Sequence, residues 1–346
     1  MKIKDPFLFE QVRAYLQVYL PDQRMCSPKT IKSYREVLRM FLDYLCESLQ
    51  LPLQKIGFGD ITPKAVSGFL KHLAEARGCM PPTVNHHLAA IRAFLKYTGM
   101  KEPAYMDCYT KVQQVPFLKT EKKLTVSHFN ENALNAILNE ADPKKKTGHR
   151  DLFFMILLYD TGARDSEILG LHPADIVTDK KAPYVYIRGK GRKTRTVPIM
   201  QKTVEHYQSY LKRFRIDPMD SDNTLFFTTM HGRRQKMSDD NVARFLKKYA
   251  EAAHMKCSDV PGKVTPHMFR HSRALNLYRR GMPLPLISEW LGHSDLETTL
   301  IYAYADTEMK RDAINKAMGS NHPLYMTEAA PEGSDEDMLR QYCGLG

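Results

Sequence analysis

The pentapeptide HMFRH, residues 267–271, sets two histidines four apart, the spacing that places both on one helical face and in many enzymes holds a metal. Here Arg270 stands between them, and no glutamate of an HExxH pattern is present. A metal dication beside a fixed guanidinium would be repelled, so no metal is expected. An anion suits the same residues better. Arginine offers a rigid fork of donors to phosphate, and a neighbouring histidine donates a hydrogen bond or moves a proton. Three other stretches carry reactive side chains at suggestive positions. TGARDSEILGL places Arg164 just after a glycine at a helix–turn–helix junction, with Glu167 one turn on. RGKGRKTR lifts Lys190 to the tip of an expected hairpin. LGHSDLETTLIY sets His293 directly after a helix stop at Gly292, with Tyr302 nine residues later on a new helix.

These four boxes, in this order and spacing between residues 160 and 303, resemble the signature of the tyrosine recombinases, or phage-integrase family. The resemblance implies that Arg164 and Arg270 are the two catalytic arginines, Lys190 the hairpin lysine, and His267 the first histidine of the HxxR box. It implies that His293 belongs to the LGH box, that Tyr302 is the nucleophile, and that Glu167 is the supporting acid. Asp165 and Phe269 depart from the family's usual apolar residue and leucine, at positions that bear on packing only.

The implied chemistry is physically consistent. A phosphodiester under attack builds negative charge that two guanidinium forks and a histidine donor stabilise without a metal. A tyrosine nucleophile splits one hard transfer into two easier ones through a covalent phosphotyrosine. The linkage conserves the bond energy, so neither ATP nor another cofactor is expected, and no GxxxxGK[ST] loop occurs. Lys190 would protonate the leaving 5′ oxygen, and His267 would help with the proton of Tyr302. His271 is read as structural or as a support behind the residues that touch the phosphate.

The expected fold is mainly α with a small β-sheet. A helical core-binding (SAM-like) domain and a tyrosine-recombinase catalytic domain would form a C-shaped clamp on DNA. The expected boundaries are 1–110 for the first domain, 111–124 for a lysine-rich linker, 125–320 for the second and 321–346 for an acidic tail. In the first domain, Ser27 and Pro28 open a helix whose buried stripe is Ile31, Tyr34, Leu38, Phe41, Leu42 and Leu45. Lys29, Lys32, Arg35 and Arg39 lie on another arc of that helix and are candidate DNA contacts, as are Arg188, Arg192 and Lys193 around the hairpin. Two more helices follow, one from Thr62 to a stop at Gly78, the other with Val84, Leu88, Ile91 and Leu95 inward and an end at Gly99. In the second domain HFNENALNAILNEA and RDLFFMILLYDTG read as helices, the latter central to the core. APYVYIRGKGRKTRTVPI reads as a hairpin, with helices after it.

Composition agrees with a nucleic-acid partner. The 346 residues carry a net charge of +12. The last 26 hold five acids and one base, so the first 320 carry +16 from 50 basic and 34 acidic residues. The start, MKIKDPFLFEQ, lacks the apolar run of a signal peptide, and no stretch is long and apolar enough to span a membrane. Six cysteines without a CxxC pair fit free thiols in a reducing, bacterial cytosol.

The expected activity is site-specific recombination of double-stranded DNA by a homo-tetramer, through a 3′-phosphotyrosyl intermediate and a Holliday junction. The expected role is integration or excision of a mobile element, with Xer-type dimer resolution as the alternative. A type IB topoisomerase shares the chemistry, but the LGHSDLETTLIY box and the small helical N-terminal domain favour the recombinase. A catalytically silent DNA-binding relative is disfavoured by the full set of six catalytic residues. In the tail, SDEDMLRQYCGLG could form a short helix whose apolar face docks on a neighbouring subunit.

Overall fold

In a computed structural model of the chain, the described residues are 3–120, 127–179, 181–189, 193–293 and 295–305, with the isolated positions 311, 340, 342 and 344. Lys190, Arg192 and most of the docking segment expected in the tail lie outside them. The chain divides into two compact units, Met1–Lys122 and Lys123–Gly346. No helix among the described residues is long and apolar enough to cross a membrane.

The first unit is helical throughout. Helix α1 (Pro6–Ala14) is capped by Asp5, which accepts from the Leu8 amide, and continues in π form over Tyr15–Gln23. Helix α2 (Pro28–Leu49) starts as expected, with the Ser27 hydroxyl accepting from the Thr30 amide. Leu38, Phe41 and Leu45 are buried in the core, and Ile31, Tyr34 and Leu42 pack partly buried against it. Lys29, Lys32, Arg35 and Arg39 are exposed, and Arg39 pairs with Glu36 on the same helix. Thr62 caps α3 (Pro63–Glu75). Helix α4 (Pro81–Lys101) buries Val84, Leu88, Ile91 and Leu95. It does not stop at Gly99. That glycine is buried against α5 (Met106–Gln113), where a Cβ would come within 2.9 Å of the Met106 Cα, so it serves close packing, not termination. Since α5 reaches Gln113, the first residues of the 111–124 stretch are helical.

The second unit is built around α7 (Lys146–Thr161), whose Phe153, Phe154, Met155, Leu157 and Leu158 are fully buried. Helix α6 (Glu131–Asn139) precedes it, capped by Asn130. The short α8 (Asp165–Ile168) follows, with Asp165 in the first turn, where an acid suits the helix dipole. A three-stranded antiparallel sheet has the order β1 (Ile176–Val177), β2 (Tyr184–Arg188), β3 (Thr194–Pro198). Ile187 faces Arg195 across the hairpin. Then come α9 (Gln201–Phe214), α10 (Asp239–His254), α11 (Pro266–Arg279), α12 (Leu284–Leu291) and α13 (Glu297–Ala305).

The expectation of helices alone after the first hairpin is corrected by a second hairpin, β4 (Phe227–Met230) with β5 (Arg233–Lys236). Its two-residue turn, His231–Gly232, has both φ angles positive, at 49° and 76°. The sequence RRQK lacks the alternation that marks a strand, because all four residues are exposed.

Candidate active site

Two helix ends and the arginines that cap them form the frame of the site. The last carbonyls of an α-helix have no partner within it. At the end of α7 three successive carbonyls are met by side chains from other elements. Asp160 O accepts from Arg273 Nε at 3.0 Å, Thr161 O from Trp290 Nε1 at 2.9 Å, and Gly162 O from Arg270 Nη1 at 2.8 Å. At the end of α12, backbone amides satisfy the Ser288 and Glu289 carbonyls, while Arg195 Nε donates to Trp290 O and Arg270 Nη2 to Leu291 O. Arg270 therefore bridges two helix C-termini, whose partial negative charges favour its cation. Burial pushes its pKa down to about 10, with nearby Arg164 adding, which still leaves it charged at neutral pH. The two carbonyl bonds use two of its five N–H donors.

Arg164 follows the turn that closes α7. Its backbone N–H donates to Glu167 Oε2 at 2.9 Å and its Nη1 to Oε1 at 3.0 Å, while its side chain stays 36 % exposed. Glu167 is buried and also grips Arg195, through Nη1–Oε1 at 3.2 Å and Nη2–Oε2 at 2.8 Å. Burial opposes ionisation of Glu167, but the Arg195 fork, with the amide and charge of Arg164, outweighs it and holds the carboxyl below its usual range.

Tyr302 on α13 is fully buried, and its hydroxyl lies 2.9 Å from His271 Nδ1 on α11. Burial pushes the phenol up to about 12, against the pull of Arg270. Burial, then His267, Arg270 and His128, bring His271 down to about 4. His293, held by Thr299 Oγ1 at 2.8 Å, is also brought to about 4, by burial first and then by Arg270, Arg164, His271 and Arg195. These mutual influences gather Arg164, Arg270, His271, His293 and Tyr302 around one locus.

The structure thus brings together Arg164, Glu167, Arg270, His293 and Tyr302. His267 is placed differently from the expectation. Its ring is exposed, 6.3 Å from that of His271 between centroids, and it is His271 that meets the tyrosine hydroxyl. Lys190 lies outside the described residues, but its neighbour Gly189 is beside the site, since a Cβ there would be 3.5 Å from Glu167 Oε1. Of the hairpin cations, Lys193 is exposed and Arg188 is engaged by Asp175 at 2.8 Å. Phe269 is buried edge-to-face against Phe129, with centroids 5.0 Å apart, which accounts for an aromatic there.

Sequence reasoning missed Arg195, Arg273 and Trp290, and underrated His271. A signal for Arg195 exists. It shares the inward face of β3 with Val197, two residues on, and an arginine at such a position needs a buried acid.

Residues 127–309 match the profile of the phage integrase family, and residues 8–103 match the phage integrase N-terminal SAM-like domain. Tyrosine recombinase XerA of Pyrococcus furiosus is 33 % identical over 292 residues, covering 84 % of this chain and 88 % of its own. A Sinorhizobium fredii protein named as an integrase/recombinase, y4rC, is 31 % identical over 298 residues, 86 % of this chain and 87 % of its own. Two solved structures share the fold. XerH bound to its difH substrate has 22 % identity and a TM-score of 0.63, covering 91 % of this chain and 90 % of that one. The Tn1549 transposon integrase with circular-intermediate DNA has 20 % identity and a TM-score of 0.61, covering 87 % and 98 %. Fold and site define an enzyme that cuts and rejoins DNA strands at specific sites. The chain belongs to the phage integrase family of tyrosine recombinases.

Proposed function

We propose that Tyr302 is the nucleophile of site-specific strand exchange at one phosphodiester. Its Oη bonds to the scissile phosphorus as the bond to the 5′ oxygen breaks, leaving a 3′-phosphotyrosyl link. The observation that carries this reading is the 2.9 Å bond from Tyr302 to His271, on the same helix as Arg270. Neutral His271 is the acceptor nearest the phenol proton. With the tyrosine near 12 and the histidine near 4, that proton leaves only as the new O–P bond forms. Arg164, Arg270 and His293 stabilise the charge on the non-bridging oxygens. Lys190 supplies the proton to the 5′ oxygen. Glu167 orients Arg164.

The substrate in this reading is a double-stranded recombination site, gripped by the helical unit through Lys29, Lys32, Arg35 and Arg39 and by the hairpin through Lys193 and Arg192. Four subunits exchange strands in two steps through a Holliday junction. We assign the recombination to integration or excision of a mobile element, a reading that accords with the likeness to y4rC. The similarity to XerA over most of both chains favours a second reading, dimer resolution at a fixed chromosomal or plasmid site.

The test uses nicked duplexes carrying inverted repeats from the DNA flanking the gene, and the same repeats at a candidate chromosomal site. A covalent protein–DNA adduct on a denaturing gel is expected with the wild type. Adduct only on the chromosomal site selects the second reading. Relaxation of plasmids lacking any preferred site would replace recombination with topoisomerase activity.

A further inference from the structure

One guanidinium in the second unit ties three elements together and has no part in the chemistry above. Arg195 projects inward from β3 with its side chain 13 % exposed. Its two Nη atoms grip both oxygens of Glu167 on α8, at 3.2 and 2.8 Å, and its Nε donates to Trp290 O at the end of α12, at 2.9 Å. A planar fork makes all three bonds at once, which a lysine cannot do. The opposite side of Glu167 holds Arg164 by backbone and side chain. Gly292, at φ 66°, packs against the Arg195 side chain. A Cβ there would come within 2.9 Å of Nη1 and 3.0 Å of Cδ, so only glycine lets the backbone pass so close just before His293.

We infer that Arg195 is a positioning residue for strand cleavage: through Glu167 it fixes Arg164, and through the end of α12 it fixes His293, so that both meet the same phosphate. The inference rests on the assignment of Arg164 and His293 as phosphate donors. A simple structural role is the competing account. Replacing a whole buried ion pair by apolar groups often costs little stability, but removing one partner leaves the other charge buried and unpaired, so melting temperature is measured beside cleavage.

Among the described residues, three cationic groups face Glu167: Arg164 on its own turn, Arg195 from β3, and Arg270 from α11. Removing Arg195 leaves the burial that raises Glu167 and takes away the strongest interaction that lowers it. Glu167 then protonates at a higher pH than in the wild type, which loosens its hold on Arg164.

The experiment compares wild type, Arg164→Ala, Arg195→Met, Arg195→Lys and Arg195→Met/Glu167→Gln. It measures adduct formation on nicked DNA across pH, with DNA affinity and melting temperature in parallel. Cleavage by both Arg195 variants should fall about 10²-fold, the scale of a misplaced reacting group, with DNA affinity unchanged within experimental error. Arg195→Met should gain an acidic limb that wild type lacks, and adding Glu167→Gln should remove the limb. Wild-type cleavage by a folded Arg195→Lys overturns the inference, as does a loss in Arg195→Met that is uniform in pH. If Arg195→Met does not fold, the rate of Arg195→Lys decides alone. A wild type without adduct, or an Arg164→Ala as fast as wild type, sinks the site assignment itself, not merely the part given to Arg195.

Discussion

His271 Nδ1 and Tyr302 Oη stand 2.9 Å apart, and this hydrogen bond joins α11, the helix of Arg270, to α13. It makes Tyr302, the proposed nucleophile, part of the interior. Tyr302→Phe should therefore bind DNA like the wild type, form no covalent adduct, and lose about 1 kcal/mol of stability, the usual net value of one hydrogen bond. Gel shift, covalent trapping and thermal melting read the three effects. An adduct that persists in the variant would move the nucleophile to another tyrosine, Tyr304 first.

His271→Ala should slow adduct formation more than His267→Ala, by about 10²-fold if it accepts the proton directly. Parallel single-turnover rates decide. A slower His267 variant would return the proton-handling role to that exposed ring.

The depressed histidines predict a pH dependence of stability. His271 and His293 both fall from 6.5 to about 4 on folding, so the folded state binds fewer protons than the unfolded chain between those values. Their stabilising contribution is full above 6.5 and is lost as pH falls towards 4. Melting temperature should drop over that window, and less steeply in His271→Gln. A variant with the wild-type slope would show that another group sets it.

Lys190→Ala should cut cleavage of ordinary DNA by about 10²–10⁴-fold, the usual contribution of a general acid. A 5′-bridging phosphorothiolate releases a thiolate that needs no proton, so the variant should recover on it. Equal inactivity on both substrates would take the role away from Lys190.

Cleavage should continue in EDTA, because in the proposed mechanism Arg164 and Arg270 supply fixed positive charge and His293 a donor. Loss of adduct on chelation, restored by magnesium or zinc, would overturn the reading of HMFRH as a phosphate site.

The sequence revealed the parts of this site whose partners lie within one box. Arg164 and Glu167 are three apart, and Gly292 ends a helix directly before His293. Contacts made across the fold were out of reach. Arg195 finds Trp290 95 residues away, and Arg270 finds Gly162 108 residues away, at distances no local pattern encodes. The two histidines of HMFRH illustrate the same limit. Spacing places both near one face, but only the return path of α13 decides which one meets Tyr302. In the fold, α2 and α7 carry unambiguous apolar stripes and caps, whereas β5 exposes every residue and leaves no such mark.

The three capped carbonyls at the end of α7 bear on how the enzyme fails. A helix terminus ordinarily frays turn by turn, so a site built on one would loosen well before the protein melts. Here the last turn of α7 cannot open unless Arg273, Trp290 and Arg270 release it together, and these belong to two other helices. The site and the second unit thus form one cooperative block. Amide protons in the last turn of α7 and along α11 should exchange with solvent only in the same rare event, and heat should abolish cleavage at the temperature where that block unfolds.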